Sequence, residues 1–361
     1  MRVLFGVPEK THRELADLEI EGIKSLDIKT DTIHFGPKDK NNNFFLKLKQ
    51  VLANAFAINR RLKTDTFDVL FLNSAFDTNA LVRDFITLVV LKLNCAKVFV
   101  KFHGSDLLLL DNLNYFKRKL TNYVFYRVSG VGVLSSEELS CFVKHGYPKE
   151  KIFVVKNPIN PTIYLKETNF KEELGISEDS FLFLFCARFI KEKGLIDVLV
   201  SLRDIVKENR HTHLVAIGDG PEMEAVKQFV ENNQLNNFVT FTGFIPEKQI
   251  IPYYSNVDAL VFPTYHQEGF PMVVFQSLAA GLPIITTRIR ACADYLTEPN
   301  NVLWVEAQNI QSIKDAMLRF INNNELTTQM GENNKKLSMN FTTEMNAKEY
   351  VGIFENLIKQ K

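Results

Sequence analysis

The chain has 361 residues, 46% apolar and 24% charged, which suits two domains of common size in an ordinary soluble globular protein. A net charge of +1 without any nucleic-acid motif argues against a nucleic-acid binder. No apolar run approaches the roughly 18 residues of a membrane span.

In chain order, the first half offers apolar strands at Arg2–Gly6, Val69–Leu72, Lys97–Phe102, Val131–Leu134 and Ile152–Val155. The amino terminus, MRVLFGVPEK, opens the first of these and turns polar at once, unlike a secretory leader. Helical stretches are expected at Leu107–Phe125 and Ser136–Lys144. The run Asn157-Pro158-Ile159-Asn160-Pro161 breaks regular structure, and a charged stretch leads to Phe181, where the strand pattern restarts. The second half offers strands at Phe181–Ala187, Leu214–Ile217, Val239–Phe241, Ala259–Phe262 and Pro283–Thr286, with helices at Gly194–Lys207 and Pro221–Asn233. The end, from about Thr343, reads as a helix with Tyr350, Val351, Phe354 and Leu357 on one side. Continuous apolar strands alternating with helices indicate parallel sheets covered on both faces. Ten strands are too many for one convincing sheet. The expected fold is α/β, with two Rossmann-like, doubly wound domains facing each other across a ligand crevice at the carboxyl ends of their strands. The expected limits are 1–165 and 166–342, with 343–361 returning as a helix onto the first domain.

Charge is divided unevenly. Residues 1–175 carry 26 Lys and Arg against 20 Asp and Glu, and the remainder 17 against 22. The four cysteines, Cys95, Cys141, Cys186 and Cys292, are scattered without metal-ligand spacing and read as reduced thiols of a cytoplasmic protein.

Four segments carry candidate chemistry. In Glu268-Gly269-Phe270-Pro271-Met272, an acid opens a loop and a helix begins near Pro271, so unpaired amides and the positive end of the helix suit an anion. Gln276 follows about two turns along that helix. Upstream, a strand ends in Arg188, with Lys193 five residues later; two cations there would neutralise a diphosphate, or form only a solvated basic turn. In Ile217-Gly218-Asp219-Gly220-Pro221, Gly218 and Gly220 let backbone pass close to a ligand, or simply serve a strand–helix turn. GxGxxG is missing, which counts against a dehydrogenase. In the first half, the strand ending in His103, Gly104, Ser105 and Asp106 offers His103 to a hydroxyl or phosphate oxygen. Asp106 would orient His103 or cap the next helix.

Taken in order, HGSD, NPIN, RFIKEKG, GDGPE, FTGFIP, EGFPMVVFQ and AAGLPIIT resemble the motif series of retaining, nucleotide-sugar-dependent glycosyltransferases of the GT-B fold. The resemblance implies that Arg188 and Lys193 hold the donor diphosphate and that Glu268 contacts the donor sugar. The amides of Gly269 and Phe270 would lie near sugar and phosphates, and backbone near Phe244 and Ile245 would meet the base. His103, with Gly104 and Asp106 beside it, would approach the transferring sugar from the first domain. Gln276 stands where the family has a second carboxylate for ribose hydroxyls; its amide oxygen still accepts a hydrogen bond. Arg290-Ala291-Cys292-Ala293 replaces a common glycine pair. The implied donor is a nucleoside diphosphate sugar, most often of UDP, and the acceptor a hydroxyl in surface polysaccharide or lipid-linked glycan. No DxD pair stands at a strand end, so no catalytic metal or other cofactor is expected. An epimerase or phosphorylase of the same fold, or a non-catalytic transferase-like subunit, is the alternative.

The run 44–63, FFLKLKQVLANAFAINRRLK, contains five cations and no acid, and 115–127 is a second basic-aromatic run. Both are candidates for peripheral contact with anionic membrane, or are ordinary amphipathic helices.

Overall fold

Runs such as Val3-Leu4-Phe5 and Leu182-Phe183-Leu184-Phe185 are wholly buried, because parallel strands covered on both faces have no solvent side. The computed structural model describes residues 1–9, 13–36, 44–91, 96–161, 164, 169–209, 211–246 and 249–360; Cys95 and part of the 157–177 linker lie outside them. The chain forms two units, one of Met1–Pro158, Gln267–Phe270 and Phe341–Lys361, the other of Ile159–His266 and Pro271–Asn340.

The first unit contains β1 (Arg2–Val7), β2 (Lys29–His34), β3 (Val69–Phe76), β4 (Lys97–Ser105), β5 (Gly130–Val133) and β6 (Ile152–Val154). They pair in parallel in the order β2-β1-β3-β4-β5-β6. The second contains β7 (Phe181–Cys186), β8 (Thr212–Ile217), β9 (Val239–Gly243), β10 (Ala259–Phe262), β11 (Ile284–Thr286) and β12 (Leu303–Trp304). Their order is β12-β11-β10-β7-β8-β9, again parallel. In both sheets the order reverses beside the first strand, the topology of a doubly wound fold.

Two strands escape the apolar pattern. β2, Lys-Thr-Asp-Thr-Ile-His, is an edge strand with no buried residue, and β12 has two residues only. The helix expected over Leu107–Phe125 is two helices, Leu107–Asp111 and Tyr115–Arg127. Asn114 interrupts it by capping the second, its side chain accepting from the Lys117 amide at 2.9 Å.

The C-terminal helix, Thr343–Lys359, packs in the first unit and buries Ala347, Tyr350, Phe354 and Leu357, while Val351 is half-buried. Phe354 meets Phe71 and Phe99 at centroid distances of 5.9 and 5.6 Å, in an aromatic cluster that Tyr350 extends. Each such ring contributes about 1.5–3 kcal/mol through apolar burial. The helix crosses the helix Arg13–Lys24 closely at Gly22, where a Cβ would stand 2.6 Å from the Thr343 carbonyl oxygen. Beneath the crossing, Lys101 and Glu19 form a fully buried ion pair. Asn157 Oδ1 accepts from the same ammonium at 2.7 Å and Tyr350 donates to Glu19 at 3.4 Å, so the buried charges are paired and hydrogen-bonded.

Candidate active site

The loops at the carboxyl edge of the second sheet are tied to one another by backbone. The Phe189 amide donates to the Asp219 carbonyl at 2.9 Å, the Glu222 amide to Phe189 at 3.1 Å, and the Gly218 amide to Gly243 at 2.9 Å. Gly218 has φ +137°, and a Cβ there would stand 1.8 Å from the Ala187 carbonyl oxygen; one on Gly220 would stand 2.3 Å from that of Phe189. The two glycines therefore have a packing role: they let the loop after β8 press against the segment that carries Arg188. On the other side of that segment, the Glu192 carbonyl accepts from the amides of Tyr265 and His266 at 2.8 and 3.1 Å, and from Thr264 Oγ1 at 3.1 Å. Thr287 Oγ1 donates to the Thr264 carbonyl, linking the next loop. Gly194, φ +78°, lies against the Pro263 carbonyl oxygen.

Positive charge is gathered on this framework. Arg188 is exposed. Lys193 is half-buried with its ammonium 5.4 Å from the centroid of the Phe262 ring, and burial pulls its pKa down to about 8. His266 is held below the usual imidazole range by burial first, then by the charge of Lys193, with Arg290 and Arg188 adding smaller effects and Glu192 opposing. The charges of three cations thus act on one imidazole. Arg290 is the one the motif reading did not single out: it is buried, at φ 35°, where the helix Arg290–Tyr295 begins. Its signal in the sequence was an arginine in place of the expected glycine pair.

The helix Met272–Ala280 begins where expected, with Pro271 at its N-cap and no side-chain cap. Gln276 is half-buried in its second turn. Phe244 is 77% exposed just beyond β9, with Ile245 half-buried beside it. These positions remain in the second unit.

Glu268, Gly269 and Phe270 pack with the first unit. A Cβ on Gly269 would lie 3.1 Å from Leu134 and 3.3 Å from Glu138 Oε1, and the Phe270 ring meets Phe341 at 6.0 Å. Glu138 is itself held there, its Oε2 accepting from the Leu134 amide at 2.7 Å. Glu268 is half-buried.

At the carboxyl end of β4, His103 Nε2 lies 2.6 Å from Asn73 Oδ1 on the neighbouring strand β3. Donation from Nε2–H to the amide oxygen sets the tautomer with Nδ1 as the acceptor. Asn73 was not read from the sequence, because nothing in its strand marks it apart from its neighbour across the sheet. A Cβ on Gly104 would meet nothing within 4 Å, which leaves room beside His103. Asp106 is exposed and caps the next helix, accepting from the Leu109 amide at 3.0 Å, so the capping role applies to it.

Residues 166–337 match the family described as glycosyl transferases group 1. The chain is 26% identical over 304 residues to an uncharacterized glycosyltransferase of Methanocaldococcus jannaschii, covering 81% of this chain and 77% of that protein. It is 24% identical over 272 residues to the N-acetyl-alpha-D-glucosaminyl L-malate synthase of Bacillus anthracis, covering 73% and 68%. Among solved structures, a glycosyltransferase from Rickettsia africae superposes with a TM-score of 0.81 at 17% identity, over 100% of this chain and 99% of that one. Anabaena HepE, solved in complex with UDP and glucose, gives 0.76 at 17%, over 98% and 99%. The chain has the GT-B fold, and its residues 166–337 are similar to the group 1 glycosyltransferases.

Proposed function

We propose that the protein transfers a hexose-type sugar from a UDP-sugar to an acceptor hydroxyl with retention of anomeric configuration. The observation that carries this reading is the carboxyl edge of the second sheet, where the loops bearing Arg188, Lys193 and Arg290 are tied to one another by hydrogen bonds and close glycine packing. Cations carried on such a framework stabilise a diphosphate as negative charge develops on it during departure. The HepE complexes with UDP support UDP as the nucleotide. Glu268 holds donor-sugar hydroxyls, Gln276 accepts from the ribose, and Phe244 with Ile245 borders the base. His103, oriented by Asn73, serves a sugar hydroxyl. With three cations in place, no step in this reading requires a metal.

Slow hydrolysis of a UDP-sugar, followed by nuclear magnetic resonance, tests the assignment. The sugar first released keeps the donor's anomeric configuration, with no magnesium added; an inverted product contradicts retention, and no release from any UDP-sugar contradicts the donor class.

The acceptor proposed is a glycan or lipid-linked glycan met at the cytoplasmic face of a membrane. No helix among the described residues is long and apolar enough to cross one. The helix Phe44–Thr64 nevertheless exposes Phe45, Lys49, Leu52, Phe56, Arg60 and Lys63 along one stripe, away from buried Val51, Ala55 and Ile58. The helix Tyr115–Arg127 exposes Tyr115, Lys119 and Tyr126 in the same spacing. Rings flanked by cations suit an anionic lipid surface. Sedimentation with anionic but not neutral vesicles is expected; equal binding to both, or none, removes this contact from the account.

A further inference from the structure

A thiol, an imidazole and a carboxylate meet in the first unit at a place the transfer chemistry does not use. Cys141 lies in the helix Ser136–Lys144, whose C-cap is His145, one turn further on. Asp111 ends the helix Leu107–Asp111. His145 Nε2 lies 3.3 Å from Asp111 Oδ1. Its Nδ1 lies 2.8 Å from the Cys141 carbonyl oxygen and 3.9 Å from Cys141 Sγ. One donor atom from each residue falls within 4.8 Å of the other two. Sequence spacing alone did not show this, because only Cys141 and His145 are neighbours along a helix and Asp111 comes from a separate element.

Nδ1–H donates to the Cys141 carbonyl, which leaves Nε2 facing the Asp111 carboxylate, and a backbone carbonyl is a common outer partner of a ligating imidazole. Tetrahedral zinc bonded at about 2.3 Å to sulfur, 2.0–2.1 Å to nitrogen and 2.0–2.2 Å to oxygen spaces its ligand atoms by roughly 3.3–3.7 Å. The donor atoms, within 4.8 Å of one another, have to draw together by side-chain shifts to reach that spacing. Asp111 is half exposed and the other two are only part-buried, so such shifts displace no core.

We propose that Asp111 Oδ, Cys141 Sγ and His145 Nε2 bind one zinc-type divalent cation, with water as the fourth ligand. The thiol gives up its proton to solvent on binding; no electron is transferred. The ion has a structural consequence. The helix ending at Asp111 begins at Asp106, directly after His103 and Gly104, and the helix carrying Cys141 includes Glu138, which borders Gly269. Tying the far ends of these two helices together stiffens the two segments at their near ends.

Cobalt(II) titrated into the metal-stripped full-length protein provides the test, since a Co–thiolate bond absorbs in the near ultraviolet. One equivalent is expected to generate the band, zinc to abolish it, and zinc to raise the melting temperature. Cys141→Ser removes the band, and Asp111→Asn, an exposed change that leaves the fold intact, weakens cobalt binding about tenfold. No band in the parent protein, or a band unchanged in Cys141→Ser and in Asp111→Asn, overturns the proposal.

Discussion

A Cβ on Gly218 would stand 1.8 Å from a backbone oxygen, whereas one on Gly104 would meet nothing within 4 Å. The two glycines sit at the carboxyl edges of the two sheets, in segments that read alike from sequence. At the second edge, successive loops are hydrogen-bonded backbone to backbone, and the cations project from a framework with no slack. At the first edge, His103 is held by a side-chain bond to Asn73, and space is left at Gly104 beside it. On the proposed function, a common diphosphate calls for a firm electrostatic cradle, while a variable hydroxyl substrate calls for an adaptable neighbour. The contrast teaches that glycine at a strand end has two distinct uses, and only the local backbone separates them.

That contrast breaks most visibly on substitution of the glycines. Gly218→Ala is expected to destabilise the second unit by roughly 3 kcal/mol or more, through strain at positive φ and a backbone clash. Melting should fall by about 6–12 °C. On the proposed function, Gly104→Ala should leave melting within about 1–2 °C but slow transfer, since the methyl group enters the open space beside His103. Equal thermal effects in the two variants would erase the distinction.

A smaller effect concerns pH. Burial lowers the Lys193 pKa to about 8, so its ammonium is present below that pH and is lost as pH rises through it. UDP affinity is therefore expected to hold from pH 6.5 to 7.5 and to weaken above pH 8. Lys193→Arg should remove this break, because a guanidinium stays charged. A break that persists in the arginine variant would assign it to another group.

Strands with continuous apolar runs were legible in the sequence because burial on both faces leaves no ambiguity of register. β2 was not, because its residues are only half-buried at an edge. Asn114 ended a helix that apolar periodicity alone would continue, since a cap acts through one side-chain hydrogen bond. Arg188, Lys193 and Gln276 were readable as motif positions. The Asn73 partner of His103 and the electrostatic link of Arg290 to His266 depend on neighbours far apart in the chain, which no local pattern encodes. The capping bond of Asp106 and the close packing of Gly218 and Gly220 show the reverse: local residues whose local duty is structural.

On the proposed function, the cations of the second unit form a diphosphate cradle. Calorimetric titration of UDP into the parent protein and Arg188→Ala at pH 7 tests it most directly. Micromolar binding to the parent is expected, weakened at least tenfold (about 1.4 kcal/mol) in the variant, with melting temperature unchanged because Arg188 is exposed. Equal affinity in the two proteins, or no binding of UDP to either, would contradict it.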